Sequence, residues 1–274
     1  MVDVSTQTPA VLITGGAVRL GRQLALHMAR SGYHVALHFN RSSAAAEATA
    51  ADIRNMGAQC ALFGLDFQDS STDYEAYIQL VRRHFPGLRI LINSASVYDP
   101  APIAQSDMHL VQKQFLVNFM APFQLTRWFA HTASGDDSSV INILDNKIAY
   151  HQFPYAAYAL SKSTLAEFTR MAALEFAPYI RVNGIAPGVI LPAEERTTDY
   201  LEWRSAGIPL RRMGSPDHIT RALDYILNND FLTGQILFVD GGESENFIGR
   251  NATDYKPEHP TPLESPPEHR EQGP

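Results

Sequence analysis

Seven short apolar runs separated by longer segments of helical spacing constrain this chain more than any other feature. The runs are VLI at 11–13, HVALHF at 34–39, QCALFGLDF at 59–67, RILIN at 89–93, SVINIL at 139–144, YIRVNGIA at 179–186 and QILFV at 235–239. Between them, segments such as 20–30, 43–56 and 71–84 repeat apolar residues every three or four positions, the spacing of one helix face. Strands that alternate with helices pair in parallel, because each crossover helix must lie on a face of the sheet. Right-handed crossovers then make the sheet doubly wound, with ligands expected at the carboxyl ends of the strands near the switch in strand order.

At 274 residues and 45% hydrophobic composition, the chain can bury one sizeable core. The expected architecture is α/β, a single doubly wound Rossmann-type domain at 9–242 with a seven-stranded parallel sheet flanked by helices on both faces. Residues 1–8 are expected to be a flexible N-terminus, 189–212 a substrate lid, and 243–274 a disordered or surface-laid tail rich in Pro and Glu. In that tail His259 and His269 lack the neighbouring Cys or carboxylate spacing of a metal site, and no metal is expected. A net charge of −7 argues against nucleic acid as a partner, since phosphate binding needs clustered Lys and Arg. A single cysteine, Cys60, allows no intrachain disulfide and suits a reducing cytoplasm. The early apolar run at 10–13 stops at Gly15 and Gly16, and no stretch reaches the roughly 20 apolar residues of a membrane span.

The first run leads through Thr14-Gly15-Gly16-Ala17-Val18-Arg19-Leu20-Gly21 into a helical segment. Glycines at such a turn let the backbone approach a pyrophosphate, and the helix N-terminus offers oriented N–H groups. Without GxGxxG spacing, a plain tight turn is an equal reading of the motif alone. The second run ends in His38-Phe39-Asn40-Arg41-Ser42, with no acid at its tip to bind a ribose diol and repel a 2′-phosphate. Arg41 and Ser42, with Arg19, are placed to clamp that phosphate, which favours NADPH over NADH. The alternative for Arg41 is a solvated arginine opening a helix. Asp66 and Asn93 follow the third and fourth runs on the same sheet edge, where they line adenine and ribose or cap a turn.

Tyr158 and Lys162 stand one helical turn apart in Tyr158-Ala159-Leu160-Ser161-Lys162. An ammonium beside a phenol favours the ionised form and so tunes a tyrosine as a proton donor; taken alone, the pair is also a common surface coincidence. Together, Thr14-Gly15 with Gly21, Asn93-Ser94-Ala95, Asn118 in LVNFMAP, Tyr158 with Lys162, and the Pro187-Gly188 turn resemble the short-chain dehydrogenase/reductase superfamily. The similarity runs over residues 8–242 and ends with Asp240-Gly241-Gly242. It implies that Tyr158 donates the proton, Lys162 orients the ribose and lowers the tyrosine pKa, and Asn118 holds a water in the proton relay. It also implies NADPH contacts from Gly15, Arg19 and Leu20 in the first loop and from His38, Asn40, Arg41 and Ser42 after the second strand. Asp66, Asn93, Ser94 and Ala95 continue that surface, with Tyr158, Lys162, Pro187 and Gly188 beyond them.

Three positions depart from the usual pattern of that superfamily. Arg19 replaces a small residue, Ser96 closes Asn93-Ser94-Ala95-Ser96 where Gly is common, and Asp145 stands thirteen residues before Tyr158 in place of a carbonyl-polarising serine. A carboxylate repels a developing oxyanion but suits a cationic or N–H-bearing ring. All three departures resemble the pteridine reductases and dihydromonapterin reductases within the superfamily. By that resemblance Tyr98 stacks on the pterin, and Ser96, Tyr98, Asp145 and Tyr158 contact substrate, with Asn118, Asp145, Tyr158 and Lys162 forming the catalytic set. The function so implied is NADPH-dependent reduction of a dihydropterin (dihydromonapterin, dihydrobiopterin or dihydrofolate). A 3-oxoacyl-type carbonyl reductase and a non-catalytic nucleotide-binding regulator are the competing readings. Apolar residues taken as outward-facing on two helices, Phe115, Phe119, Phe123, Leu165 and Met171, point to a homotetramer.

Overall fold

The computed structural model describes residues 8–133, 138–191, 196–246, 250, 255 and 256. Of the expected flexible start at 1–8, residues 1–7 lie outside the described residues, as do 247–249, 251–254 and 257–274 of the expected tail at 243–274, with His259 and His269. The seven strands are β1 (Ala10–Ile13), β2 (His34–Phe39), β3 (Cys60–Gly64), β4 (Leu88–Asn93), β5 (Ser138–Ile143), β6 (Ile180–Pro187) and β7 (Ile236–Val239). They form one parallel sheet in the order β3-β2-β1-β4-β5-β6-β7. The third run is shorter than its apolar stretch because Leu65 and Asp66 already belong to the turn, where Leu65 N–H donates to Phe39 O at 3.0 Å.

Alternate strand residues feed opposite faces, as the two-residue period of a strand requires. Val11, Ile13, Ile90, Ile92 and Ile141 pack with α1 (Arg19–Arg30), α2 (Ser43–Asn55) and α8 (Pro216–Asn228). Ala10, Leu12, Leu91 and Val140 pack with α3 (Tyr74–His84), α5 (Ala121–Thr132) and α6 (Ala156–Phe176). Between α4 (Met108–Phe115) and α5 the helix widens into a π-turn, Leu116–Met120, where Ala121 N–H donates to Leu116 O five residues back. Such turns insert one residue into a helix and re-aim its side chains, here Asn118. Leu165 does not face outward as expected: it is 1% exposed and packs in the core, whereas Met171 on the same helix is 62% exposed. The sheet claims one side of α6 and leaves the other free.

The chain does not leave the body at residue 243. A short helix α9 (Glu243–Asn246) follows β7, and Glu243 is fully buried against Arg204 of α7 (Thr198–Ala206), 2.5 Å away. A run of polar residues reads as solvated tail, but a buried partner for one of its charges overrides that reading. Among the described residues, no helix is long and apolar enough to cross a membrane.

Candidate active site

The sheet reverses its order between β1 and β4, so the loops after those strands part and leave a crevice. Thr14 ties the two loops together, its hydroxyl accepting from Ser94 N–H at 2.9 Å and Ala95 N–H at 3.0 Å. Gly15 has φ +63° and lies so close to Ala95 that a Cβ would come within 2.9 Å of its Cα. At Gly21 a Cβ would meet Gly15 O at 2.1 Å, so no side chain fits there. Val18 precedes α1 as its N-cap residue and, with no polar side chain, caps none of the helix's first N–H groups. Arg19, itself at φ +49°, points out and donates to Leu191 O at 2.5 Å, spanning from this turn to the start of the expected lid.

His38 and Asn93 turn inward instead of lining the crevice. His38 accepts from Gly15 N–H at 3.0 Å through Nδ1, donates to Leu65 O at 3.0 Å through Nε2, and stacks on Phe67 at 4.2 Å. Burial pushes its pKa down to about 4, so the ring is neutral and braces the glycine turn. Asn93 is 2% exposed and donates to Asn142 Oδ1 at 2.8 Å. At the β2 tip, Arg41 is 85% exposed and 4.0 Å from Asp66, and the Ser42 hydroxyl caps nothing. Asp66 also accepts from Asn40 Nδ2 at 3.1 Å. Gly188 packs on Asp240, where a Cβ would come within 2.7 Å, and thereby seats the Pro187-Gly188 turn against the end of β7.

Four of the expected catalytic and substrate side chains come together. Tyr158 O–H donates to Asp145 Oδ2 at 2.7 Å, and the ring of Tyr98 meets that of Tyr158 edge-on at 4.6 Å. Tyr98 stacks on Tyr155 at 4.5 Å while remaining 46% exposed. Lys162, 2% exposed, donates to Ile143 O at 2.8 Å. Asn118 is occupied by the protein itself: Oδ1 accepts from Ser96 Oγ and Val97 N–H, and Nδ2 donates to Val97 O, Gln114 Oε1 and Ser161 Oγ. Its side chain therefore clasps the loop after β4, including Ser96, to α6. Two neighbours escaped the sequence reading. Lys147 lies 3.6 Å from Asp145 and 5.4 Å above the Tyr98 ring, and Tyr155 supports Tyr98 from beneath. Their positions two residues after Asp145 and one helical turn before Tyr158 were the available signal.

The net shift runs opposite to the expected direction: burial, then the charge and hydrogen bond of Asp145, raise the Tyr158 pKa well above the ordinary value, against a smaller lowering by the Ser96 hydrogen bond. Burial also pulls Lys162 down to about 8, partly offset by Asp145. The phenol is thus held protonated beside a carboxylate.

The description of the short chain dehydrogenase family matches residues 9–200, and the chain belongs to that family. It is 28% identical over 285 residues to pteridine reductase 1 of Leishmania tarentolae, covering 89% of this chain and 99% of that one. It is 29% identical over 247 residues to dihydromonapterin reductase of Escherichia coli O139:H28, covering 87% and 98%. Among solved structures, FolM alternative dihydrofolate reductase 1 of Brucella suis in complex with NADP superposes with a TM-score of 0.81 at 32% identity, covering 86% of this chain and 95% of that one.

Replacing Asp145 by Asn removes the charge that raises Tyr158, so the phenol should ionise at lower pH than in the native protein. The ultraviolet difference titration, referenced to Tyr158→Phe, reads this shift; an unmoved or higher transition would contradict the assigned coupling.

Proposed function

We propose that this chain is an NADPH-dependent reductase of a dihydropterin, taking dihydromonapterin, dihydrobiopterin or dihydrofolate to the tetrahydro form. The observation that carries the reading is the Tyr158–Asp145 hydrogen bond beneath an exposed aromatic ring. A ketone reductase needs a neutral donor at position 145 to stabilise an oxyanion, and a carboxylate there does the opposite. The relatives named for pteridine and dihydromonapterin reduction, and the alternative dihydrofolate reductase solved with NADP, support it.

The crevice fits a dinucleotide phosphate. The uncapped first N–H groups of α1, the close-packed Gly15 and Gly21, and the Asn93-Ser94-Ala95-Ser96 loop would hold pyrophosphate and ribose. Arg41 and Ser42, with Asn40 beside them, would hold a 2′-phosphate. When bound, NADPH supplies the hydride. Tyr98 offers a flat face to the pterin, and Asp145 accepts hydrogen bonds from its N–H groups. Tyr158 would give its proton to the ring nitrogen N5 of the C6–N5 imine, and the Lys162 ammonium would offset the phenolate left behind. The exposed side chains Met120, Phe123, Leu160, Met171 and Leu174 favour association as a homotetramer, and the single buried cysteine suits the cytoplasm.

NADPH absorbance should fall on adding a dihydropterin and stay constant with an acetoacetyl thioester, and Tyr158→Phe should abolish turnover while retaining NADPH binding. Turnover of the thioester alone would overturn the reading. Because the Lys162 ammonium is lost above its lowered pKa of about 8, kcat/KM should decline as pH rises through that value. A Lys162→Arg variant that keeps some activity should lack this limb; the same limb in that variant would assign it to another group.

A further inference from the structure

Behind the Asp145 turn lies a buried network that the proposed chemistry does not consume. Arg204 of α7 and Glu243 of α9 pair with side chains only 7% and 0% exposed. Glu243 Oε2 accepts from Asn146 Nδ2 at 3.0 Å, and Asn146 Oδ1 accepts from Tyr150 O–H at 3.1 Å. Asp240 Oδ2 lies 3.4 Å from the same Asn146 amide and accepts Ser244 N–H at 2.7 Å. Asn146 follows Asp145 directly and opens the 3-10 turn Asn146–Ala149, whose Lys147 N–H donates to Asp145 Oδ1 at 2.9 Å. One carboxylate therefore touches the helix beyond β6, the segment beyond β7 and the turn that holds Asp145.

Three described residues after 242 also meet α7 or the residue that follows it. Asn246 Nδ2 donates to Gly207 O at 3.0 Å, Arg250 donates to Trp203 O and lies 5.1 Å over its ring, and Tyr255 packs on Tyr200 and Trp203. A buried ion pair stabilises a fold weakly, because desolvating both charges offsets their attraction. Arg204 even leaves Nη1 buried without a partner. What such a pair fixes well is relative position.

We propose that Glu243 is a positioning residue for Asp145: it accepts the Asn146 amide and, through Arg204, locks the Asp145 turn to α7. The segment following β7 is then part of the working site. This rests on the reading of Asp145 as the substrate's partner, and a shift of about 1 Å at such a group is enough to cost up to about a hundredfold in rate.

The test compares Glu243→Ala/Arg204→Met with Glu243→Gln/Arg204→Met in the full-length protein. Both remove the two charges together, so neither leaves Arg204 or Glu243 as an unpaired buried ion; only glutamine keeps the acceptor at position 243, while the longer contact of Asn146 to Asp240 is common to both. Turnover with the dihydropterin that the native enzyme reduces best, NADPH dissociation constant, and hydrogen exchange of the peptide spanning Asn146–Ala149 are read on each. The alanine variant should lose about tenfold or more in kcat, hold NADPH within about twofold, and exchange the turn amides faster. The glutamine variant should recover most of the rate and the protection. Equal kcat and equal exchange in both variants, or a loss of NADPH binding that tracks the loss of rate, would overturn the proposal. A native enzyme inactive on every dihydropterin would sink the functional reading instead, and hydrogen exchange would still decide the role of Glu243.

Discussion

The reversal of strand order between β1 and β4 is the constraint on which the rest of the molecule depends. A parallel sheet sends every strand's carboxyl end to one edge, and only where successive crossovers diverge do the loops there separate. Thr14 holds the two loops at a fixed spacing, Gly15 lets them approach where a Cβ would collide with Ala95, and Gly21 lets α1 start close against the first loop's own backbone. His38 serves the same end from the β2 side. Its burial keeps it neutral, so one ring nitrogen can accept from Gly15 while the other donates to Leu65.

At the other end of the crevice, charge rather than shape sets the chemistry. A phenol beside a carboxylate is disfavoured as an anion, so Tyr158 is held protonated, which suits the donor's part proposed for it. Two cations stand where they would offset a phenolate in that reaction: Lys162 on the α6 side and Lys147 near Asp145. In the proposed reaction, a ring N–H that takes the place of the tyrosine hydroxyl at Asp145 would release Tyr158 toward the nitrogen it protonates. The same exchange would be unfavourable for a ketone, which brings no N–H to the carboxylate.

The fold was legible because its signal is repeated. Seven apolar runs and the helical spacing between them leave one economical architecture, and the face that each of the central strand residues feeds follows from its alternate position. The meeting of Tyr158 with Asp145, and its nearness to Lys162, were legible, because their spacing is set within one helix or one strand-to-helix connection. His38, Asn93 and Asn118 were harder. Each stands at the expected edge of the sheet, but a side chain's direction depends on partners supplied by other segments, such as Leu65, Asn142 and Ser161. Glu243 was misread for the same reason. Its partner Arg204 is 39 residues earlier, and nothing local distinguishes a buried glutamate from a solvated one.

In the proposed function, the carboxylate at position 145 makes this site a reducer of a protonatable ring rather than of a ketone. The most direct measurement is the ratio of kcat/KM for a dihydropterin to that for an acetoacetyl thioester, in the native enzyme and in Asp145→Ser. The ratio should drop by about a hundredfold or more in the serine variant, the scale of losing or gaining one transition-state hydrogen bond. A ratio that stays the same while the variant remains folded and binds NADPH would contradict it.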